Sequence, residues 1–221
     1  MKAGEIMNEN IIHITEKFVR DTLGDDSTGH DWQHIDRVRK NALYIAEKEQ
    51  KGDPFLIEMA ALLHDIPDAK LNTSMEAGDR KLSDFLKELK ITEEASSSIK
   101  AIIESVSFKG GHNTRILSAE AQIVQDADRL DAIGAVGIAR AFAYGGKKGQ
   151  LIYDPALDIR IEMTEDEYRN GRSSSINHFY EKLLKLRDLL NTDTAMELAE
   201  KRHELMEQFL HQFFKEWNGQ A

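Results

Sequence analysis

The chain has 221 residues, enough for one well-filled core or two small domains, and its 41% hydrophobic and 31% charged residues are ordinary for a globular protein. It has no cysteine, which excludes disulfides, thiolate metal sites and a cysteine nucleophile, and fits a reducing compartment. A formal net charge of −10 disfavours nucleic acid and anionic membranes as partners, but not a small anionic substrate met by a metal and a few local Lys or Arg.

No segment is long and apolar enough to span a bilayer, and Met1 to Asn10 lacks an apolar signal-peptide core, so a cytoplasmic protein is expected. Three prolines and a prevailing 3.6-residue periodicity predict an all-α fold in a single domain, residues 1–221. Ile11, Ile14, Phe18 and Thr22 share one face of a first helix that ends near Gly24. Asp25 to Asp31 is a polar turn. In the second helix Ile35, Val38, Ala42, Ile45 and Ala46 form the core stripe. His34 borders that stripe and should point inward or to a cleft.

Asp53-Pro54 reads as an N-cap followed by proline at the first helical position. The helix from Phe55 to Ile66 is apolar on nearly every face, so it should be buried. Its last turn carries His64 and Asp65, and Pro67 should end it by pushing Ile66 out of the helical region. Asp65 would then sit at the negative end of the helix dipole, where a buried anion needs a partner. A cation would serve, with a neutral imidazole beside it as a second ligand. For an isolated His-Asp pair, a satisfied core histidine and a turn-capping aspartate would be the better explanation. Two further segments change that balance.

Leu82, Phe85, Leu86 and Leu89 give another amphipathic helix. Thr92, Glu93 and Glu94 start the next, which runs to about Ser107. Phe108 to Thr114 is a loop with two glycines and His112. Ser118 should cap a long helix through Phe142, with one line at Ile123, Ala127, Leu130, Gly134, Gly137 and Ala141. A second line, Val124, Asp128, Asp131, Ala135 and Ile138, puts two acids on an apolar face. Asp126 lies roughly opposite at about 100° per residue, and Arg129 lies between. Tyr144 to Ser175 is the least regular stretch, with short strand-like pieces such as Leu151-Ile152-Tyr153. It is either a lid or substrate loop, or a surface excursion. Ile176 to Leu190 should be helical, with Phe179, Leu183, Leu186 and Leu190 on one face. Thr194 and Glu197 form a capping-box pattern for a last helix reaching about Trp217, with Leu198, Leu205, Phe209, Phe213 and Trp217 as core.

Three helices thus offer a histidine, a His-Asp pair and two aspartates at inward-leaning positions. Together they supply two imidazoles and two carboxylates, a set that suits Mn, Fe, Ni, Co or Zn as the divalent ion better than Mg alone.

The order His34, His64-Asp65, Asp128 resembles the HD superfamily of metal-dependent phosphohydrolases. His30-Asp31-Trp32-Gln33-His34-Ile35-Asp36-Arg37-Val38 is similar to that superfamily's H-D-x-x-H-x-x-R-V element, and Asp126-Ala127-Asp128-Arg129-Leu130-Asp131 looks like its last element. The core motifs fall within 29–142, and Ile176 to Trp217 also resembles a branch of small bacterial HD hydrolases. Each motif alone is weak; the ordered set is specific. The resemblance implies that His34, His64, Asp65 and Asp128 bind the metal, Mn²⁺ first among candidates. It implies that a metal-bound water attacks phosphorus, with His64, Asp65 and Asp68 at the catalytic centre and Asp68 taking or positioning the water's proton. Ala127-Asp128-Arg129-Leu130 matches the A-D-R-L element of the alarmone hydrolases, which favours Asp128 over Asp131 as ligand. Asp68 matches their acid three residues after the pair, but Ala69 replaces the acid that follows it, which weakens an alarmone assignment. The lysine of the cyclic-di-nucleotide branch stands where this chain has Asp68, and Lys70 is displaced by two, which argues against that branch. Arg37, Lys70, Asp131, Arg140, His178 and Lys182 are candidates for contact with substrate. The implied substrate is a small phosphorylated molecule, above all a nucleotide, cleaved as a triphosphate to monophosphate and pyrophosphate or at a monophosphate. The rival is a nucleotide-binding sensor with little turnover. Neither nucleic acid nor membrane is expected as a partner, and a homodimer is compatible with the sequence.

Overall fold

The computed structural model describes residues 3–24, 31–68, 71–106, 118–161, 163 and 171–220, and among these it contains helices and no strand. The α-helices are α1 (Ala3–Leu23), α2 (Trp32–Glu49), α3 (Pro54–Leu63), α4 (Met75–Glu88), α5 (Glu93–Val106), α6 (Ala119–Asp131), α7 (Gly134–Lys147), α8 (Ser175–Glu181) and α9 (Asp193–Trp217). Two short 3-10 turns, Leu183–Lys185 and Arg187–Leu189, lie between α8 and α9. The fold is all-α, and no helix among the described residues is long and apolar enough to cross a membrane.

Helix α3 sits at the centre. Ile57, Met59, Ala60, Ala61, Leu62 and Leu63 are all fully buried, as an all-round apolar helix must be. Asp53 caps it by accepting from Phe55 N at 2.8 Å. It packs against α1, α2, α5 and α6, while α2 packs in turn against α6. The three helices that carry the candidate ligands therefore touch one another pairwise. Ile35, Val38, Ala42 and Ile45 of α2 are wholly buried against this frame.

Several boundaries differ from the periodic reading, each for a local reason. Helix α3 ends at Leu63, one turn before the proline. The His64 side chain takes the Ala61 carbonyl at 2.9 Å, and Ile66 N bonds Leu63 O rather than the carbonyl one residue further back. In α1 the buried face is Ile11, Ile12, Thr15, Val19 and Leu23, while Ile14 is exposed. The continuous helix expected over 118–142 is two helices. Ser118 does cap the first, through Ala121 N at 3.1 Å. Gly134 then adopts φ +74°, and a Cβ at Gly137 would lie 2.2 Å from the Ala132 carbonyl oxygen, so both glycines are needed at the break. In one straight helix residue 140 would stand about 13 Å along the axis from residue 131. The break brings Arg140 back onto Asp131.

The segment expected to be helical over 176–190 is α8 followed by the 3-10 turns, although Phe179, Leu183, Leu186 and Leu190 are buried as its stripe requires. Thr192, not Thr194, caps α9, accepting from Ala195 N at 3.3 Å. Thr194 instead bonds Glu49 across to α2. The α9 core is Ala195, Ala199, His203, Met206 and Leu210; Leu205 and Trp217 are largely exposed. No strand forms at 151–153. Ser175 N and Ile176 N bond the carbonyls of Leu151 and Ile152, and Tyr153 packs edge-on against Phe213, Phe214 and Trp217. The buried Glu181 holds Arg160 through two hydrogen bonds of 2.9 and 2.6 Å, and Asn177 donates to the Leu157 carbonyl at 3.0 Å. Residues 151–161 are thus strapped to α8 rather than loose. The expected turn over 25–30 and the Phe108 to Thr114 loop with His112 lie outside the described residues.

Candidate metal and phosphate site

The site forms where α2, the end of α3 and the end of α6 converge. Asp31 caps α2 by accepting from His34 N at 2.8 Å, which fixes the first turn and aims His34 at the α3–α6 side. His34 is 1% exposed. Its Nε2 lies 3.4 Å from Asp65 Oδ2 and 3.5 Å from Asp128 Oδ1. His64 Nε2 lies 3.4 Å from Asp65 Oδ1 and 3.9 Å from Asp128 Oδ1. The two imidazole rings stand edge to face with centroids 5.3 Å apart. One ligand atom from each of His34, His64 and Asp65 falls within 4.8 Å of the others.

The second nitrogens fix both tautomers. His34 Nδ1 is 2.7 Å from Asp131 Oδ2, and an ionised carboxylate can only accept, so Nδ1 carries the proton. Arg140 also approaches that nitrogen, but its hydrogen goes to Asp131. His64 Nδ1 faces the Ala61 carbonyl at 2.9 Å, another group that only accepts. In the neutral form of each ring, Nε2 is then the atom that offers a lone pair on the carboxylate side. Burial pushes the His34 imidazole below its usual pKa, against the pull of the Asp131 hydrogen bond. His64 Nε2 is buried with no hydrogen-bond partner. An unpartnered buried nitrogen beside converging carboxylates is costly unless a cation lies between them. Two imidazole nitrogens and two carboxylates fit a divalent ion.

Asp131 serves a different purpose from Asp128. It is buried and accepts from His34 Nδ1, from Arg37 Nε at 2.6 Å, from Arg37 Nη2 at 3.1 Å and from Arg140. Burial alone would raise its pKa. The bonds from His34 and Arg37 and the charge of Arg140 outweigh that and hold the carboxyl well below the usual range. This is the carboxylate–histidine pairing that orients a metal ligand. Asp128, a third exposed, sits on the open side of the cluster.

Arg37 and Arg140, candidates from sequence for contact with substrate, both bond Asp131 here. Asp68 is half-buried on the turn that follows His64 and Asp65. His178 is half-buried on α8 and Lys182 is its C-cap; α8 packs on α7, which carries Arg140. Lys70 lies outside the described residues, as does His30. Asp126 of the same motif faces away from the cluster. It accepts from Asn191 N, Thr192 N and Thr192 Oγ1, so it holds the start of α9. Arg129 likewise donates to the Leu189 carbonyl. Sequence reasoning missed both anchors because their partners lie some sixty residues away, at positions no local pattern marks.

The HD domain family model matches residues 31–133. The uncharacterised YpgQ protein of Bacillus subtilis (strain 168) is 44% identical over 204 residues, 91% of each chain. A crystal structure from Lactobacillus plantarum has a TM-score of 0.87 at 41% identity, covering 96% of this chain and 98% of that one. A protein of Bacillus thuringiensis called an HD-superfamily hydrolase is 50% identical with a TM-score of 0.74, over 96% and 98% of the two chains. The YpgQ structure in complex with ADP has a TM-score of 0.76 at 40% identity, over 95% and 96%. With whole-chain relatives on both counts and with the His34, His64-Asp65 and Asp128 elements meeting in space, the chain belongs to the HD superfamily.

Proposed function

We propose that this protein is a divalent-metal-dependent phosphohydrolase acting on a nucleotide, either a nucleoside triphosphate cleaved to monophosphate and pyrophosphate or a nucleoside monophosphate. The observation that carries the reading is the unpartnered His64 Nε2, turned with His34 Nε2 toward Asp65 and Asp128. His34, His64, Asp65 and Asp128 would hold the ion, with Mn²⁺ the first candidate. A bound divalent ion supplies Lewis acidity, making water a stronger nucleophile near neutral pH and drawing charge from a phosphoryl oxygen. Asp68 accepts the proton of the attacking water as its oxygen bonds phosphorus and the leaving oxygen departs. Asp131 keeps the His34 ring in the tautomer that offers Nε2. Arg37, which keeps partial exposure, and Arg140 offset charge developing on the phosphoryl oxygens. His178, Lys182 and Lys70 complete the candidate substrate contacts.

ADP bound to the relative YpgQ supports the nucleotide class. A nucleotide substrate and a cysteine-free chain both fit the cytoplasm. The test is a screen of purified, Mn²⁺-loaded protein against nucleoside tri-, di- and monophosphates and simple phosphate esters, with chromatographic identification of products. Release of pyrophosphate or phosphate from a nucleotide supports the reading. Binding of nucleotides without turnover of any would replace it with a sensor.

A further inference from the structure

The turn that carries His64, Asp65 and Asp68 lies beyond the last residue of helix α3, to which His64 Nδ1 ties it through the Ala61 carbonyl at 2.9 Å. Among the described residues its backbone bonds include Ile66 N to Leu63 O at 3.0 Å, Asp68 N to Asp65 O at 3.1 Å and Leu71 N to Asp68 O at 3.0 Å. Two features outside the turn complete it. The Asn72 side-chain amide donates to the Ile66 carbonyl at 2.8 Å and to the Asp68 carbonyl at 2.9 Å. Both partners only accept, so the amide orientation is fixed and both its hydrogens are spent on the turn. Gly78 of α4 backs the same spot. A Cβ there would lie 2.6 Å from the Pro67 carbonyl oxygen, 2.8 Å from Pro67 Cα and 2.9 Å from Asn72 Nδ2. Helix α4, capped by Ser74 through Ala77 N, therefore presses directly on the turn with nothing between.

We propose that Asn72, backed by Gly78, is a positioning residue: it braces the 64–68 turn so that the Asp68 carboxylate is held at a set place beside the ligands His64 and Asp65. This rests on the proposed role of Asp68. The physical need is clear. His64 and Asp65 are buried in the core, whereas Asp68 is half-buried on the turn beyond α3. Bonds to the carbonyls of Asp68 and of Ile66 two residues before it restrain the backbone that carries the Asp68 carboxylate. Misplacement of a catalytic group by about 1 Å can cost on the order of 10²-fold in rate.

The test uses Asn72→Ala, with Asn72→Ser as a milder variant that keeps one donor. In crystals of the Mn²⁺-loaded full chain, Asn72→Ala should shift or disorder the Asp68 carboxylate, while His34, His64, Asp65 and the ion stay in place. An Asp68 carboxylate left where the wild type has it overturns the brace, whatever the activity. In kinetics on the nucleotide identified by the screen, Asn72→Ala should lower kcat about 10–100-fold with KM and Mn²⁺ stoichiometry nearly unchanged, and Asn72→Ser should lose less. In an Asp68→Asn background, Asn72→Ala should cost little more, because it acts through Asp68. Full additivity of the two losses overturns the proposal, since the amide would then serve some other part of the molecule. If Asp68→Asn alone is as active as wild type, the catalytic role of Asp68 fails, and the crystallographic comparison still decides the brace. Gly78→Ala should displace the same turn by crowding the Pro67 carbonyl and Asn72 Nδ2.

Discussion

Asp131 Oδ2 lies 2.7 Å from His34 Nδ1, and that single contact decides which nitrogen of His34 faces the centre of the site. It also separates two aspartates that are one turn apart on α6. Asp131 turns to the back of a histidine, and Asp128 turns to the front of two.

From this separation, Asp128→Ala should yield protein that loses its metal to a mild chelator, whereas Asp131→Ala should keep metal with an affinity reduced about 10–100-fold. Metal stoichiometry after dialysis, with circular dichroism to confirm folding, reads the difference. The reverse order would make Asp131 the ligand.

His64 offers a stricter check of the cation itself. His64→Ala removes the one unpartnered buried nitrogen of the cluster, and no neighbour on the same helix can replace it. Elemental analysis of protein purified from Mn²⁺-supplemented medium should show wild type with metal and His64→Ala nearly without. Asp65→Ala should behave in the same way. Equal metal content in all three would remove the site.

Asp68 stands outside the ligand set, so its loss should separate chemistry from metal binding. Asp68→Asn should retain the ion and the fold while turnover falls on the order of 10²–10⁴-fold, as for loss of a general base. Turnover within a few-fold of wild type would reduce Asp68 to a turn residue.

The strap at 151–161 makes a prediction about acid. Burial opposes ionisation of Glu181, but bonds from Arg160 and Ser173 and the Arg160 charge outweigh it, so its carboxyl titrates below the usual value. A folded-state pKa depressed in this way contributes stability above the unfolded pKa of about 4.3, and that contribution disappears as pH falls through the folded value. Thermal unfolding followed from pH 6 to pH 3 should show a loss of stability that is smaller in Glu181→Gln, which starts less stable at neutral pH. Parallel curves for the two proteins would mean that the Arg160 pair contributes nothing.

Much of this was legible in the chain itself. The all-α class follows from the 3.6-residue repeat, and the burial of α3 from a stretch apolar on every face. The ligand candidates stood out because His34, His64, Asp65 and Asp128 put polar groups where periodicity demands apolar ones, and an unfavourable local choice repeated on three helices points to a shared purpose. Caps at Asp53 and Ser118 are local chemistry, readable from a few neighbouring residues. What only the tertiary structure decided are the relations between groups far apart in the chain. The break after α6 depends on the close approach of Gly134 to Arg202 and of Gly137 to the Ala132 carbonyl, and it turned Arg140 from a group on a distant face into a partner of Asp131. The different duties of Asp126, Asp128 and Asp131, all within six residues, were set by what each side chain met: the start of α9, the open mouth of the site and the back of His34. Periodicity gives the direction in which a side chain leaves its own helix, but the partner waiting there belongs to another element, and its identity is a matter of packing.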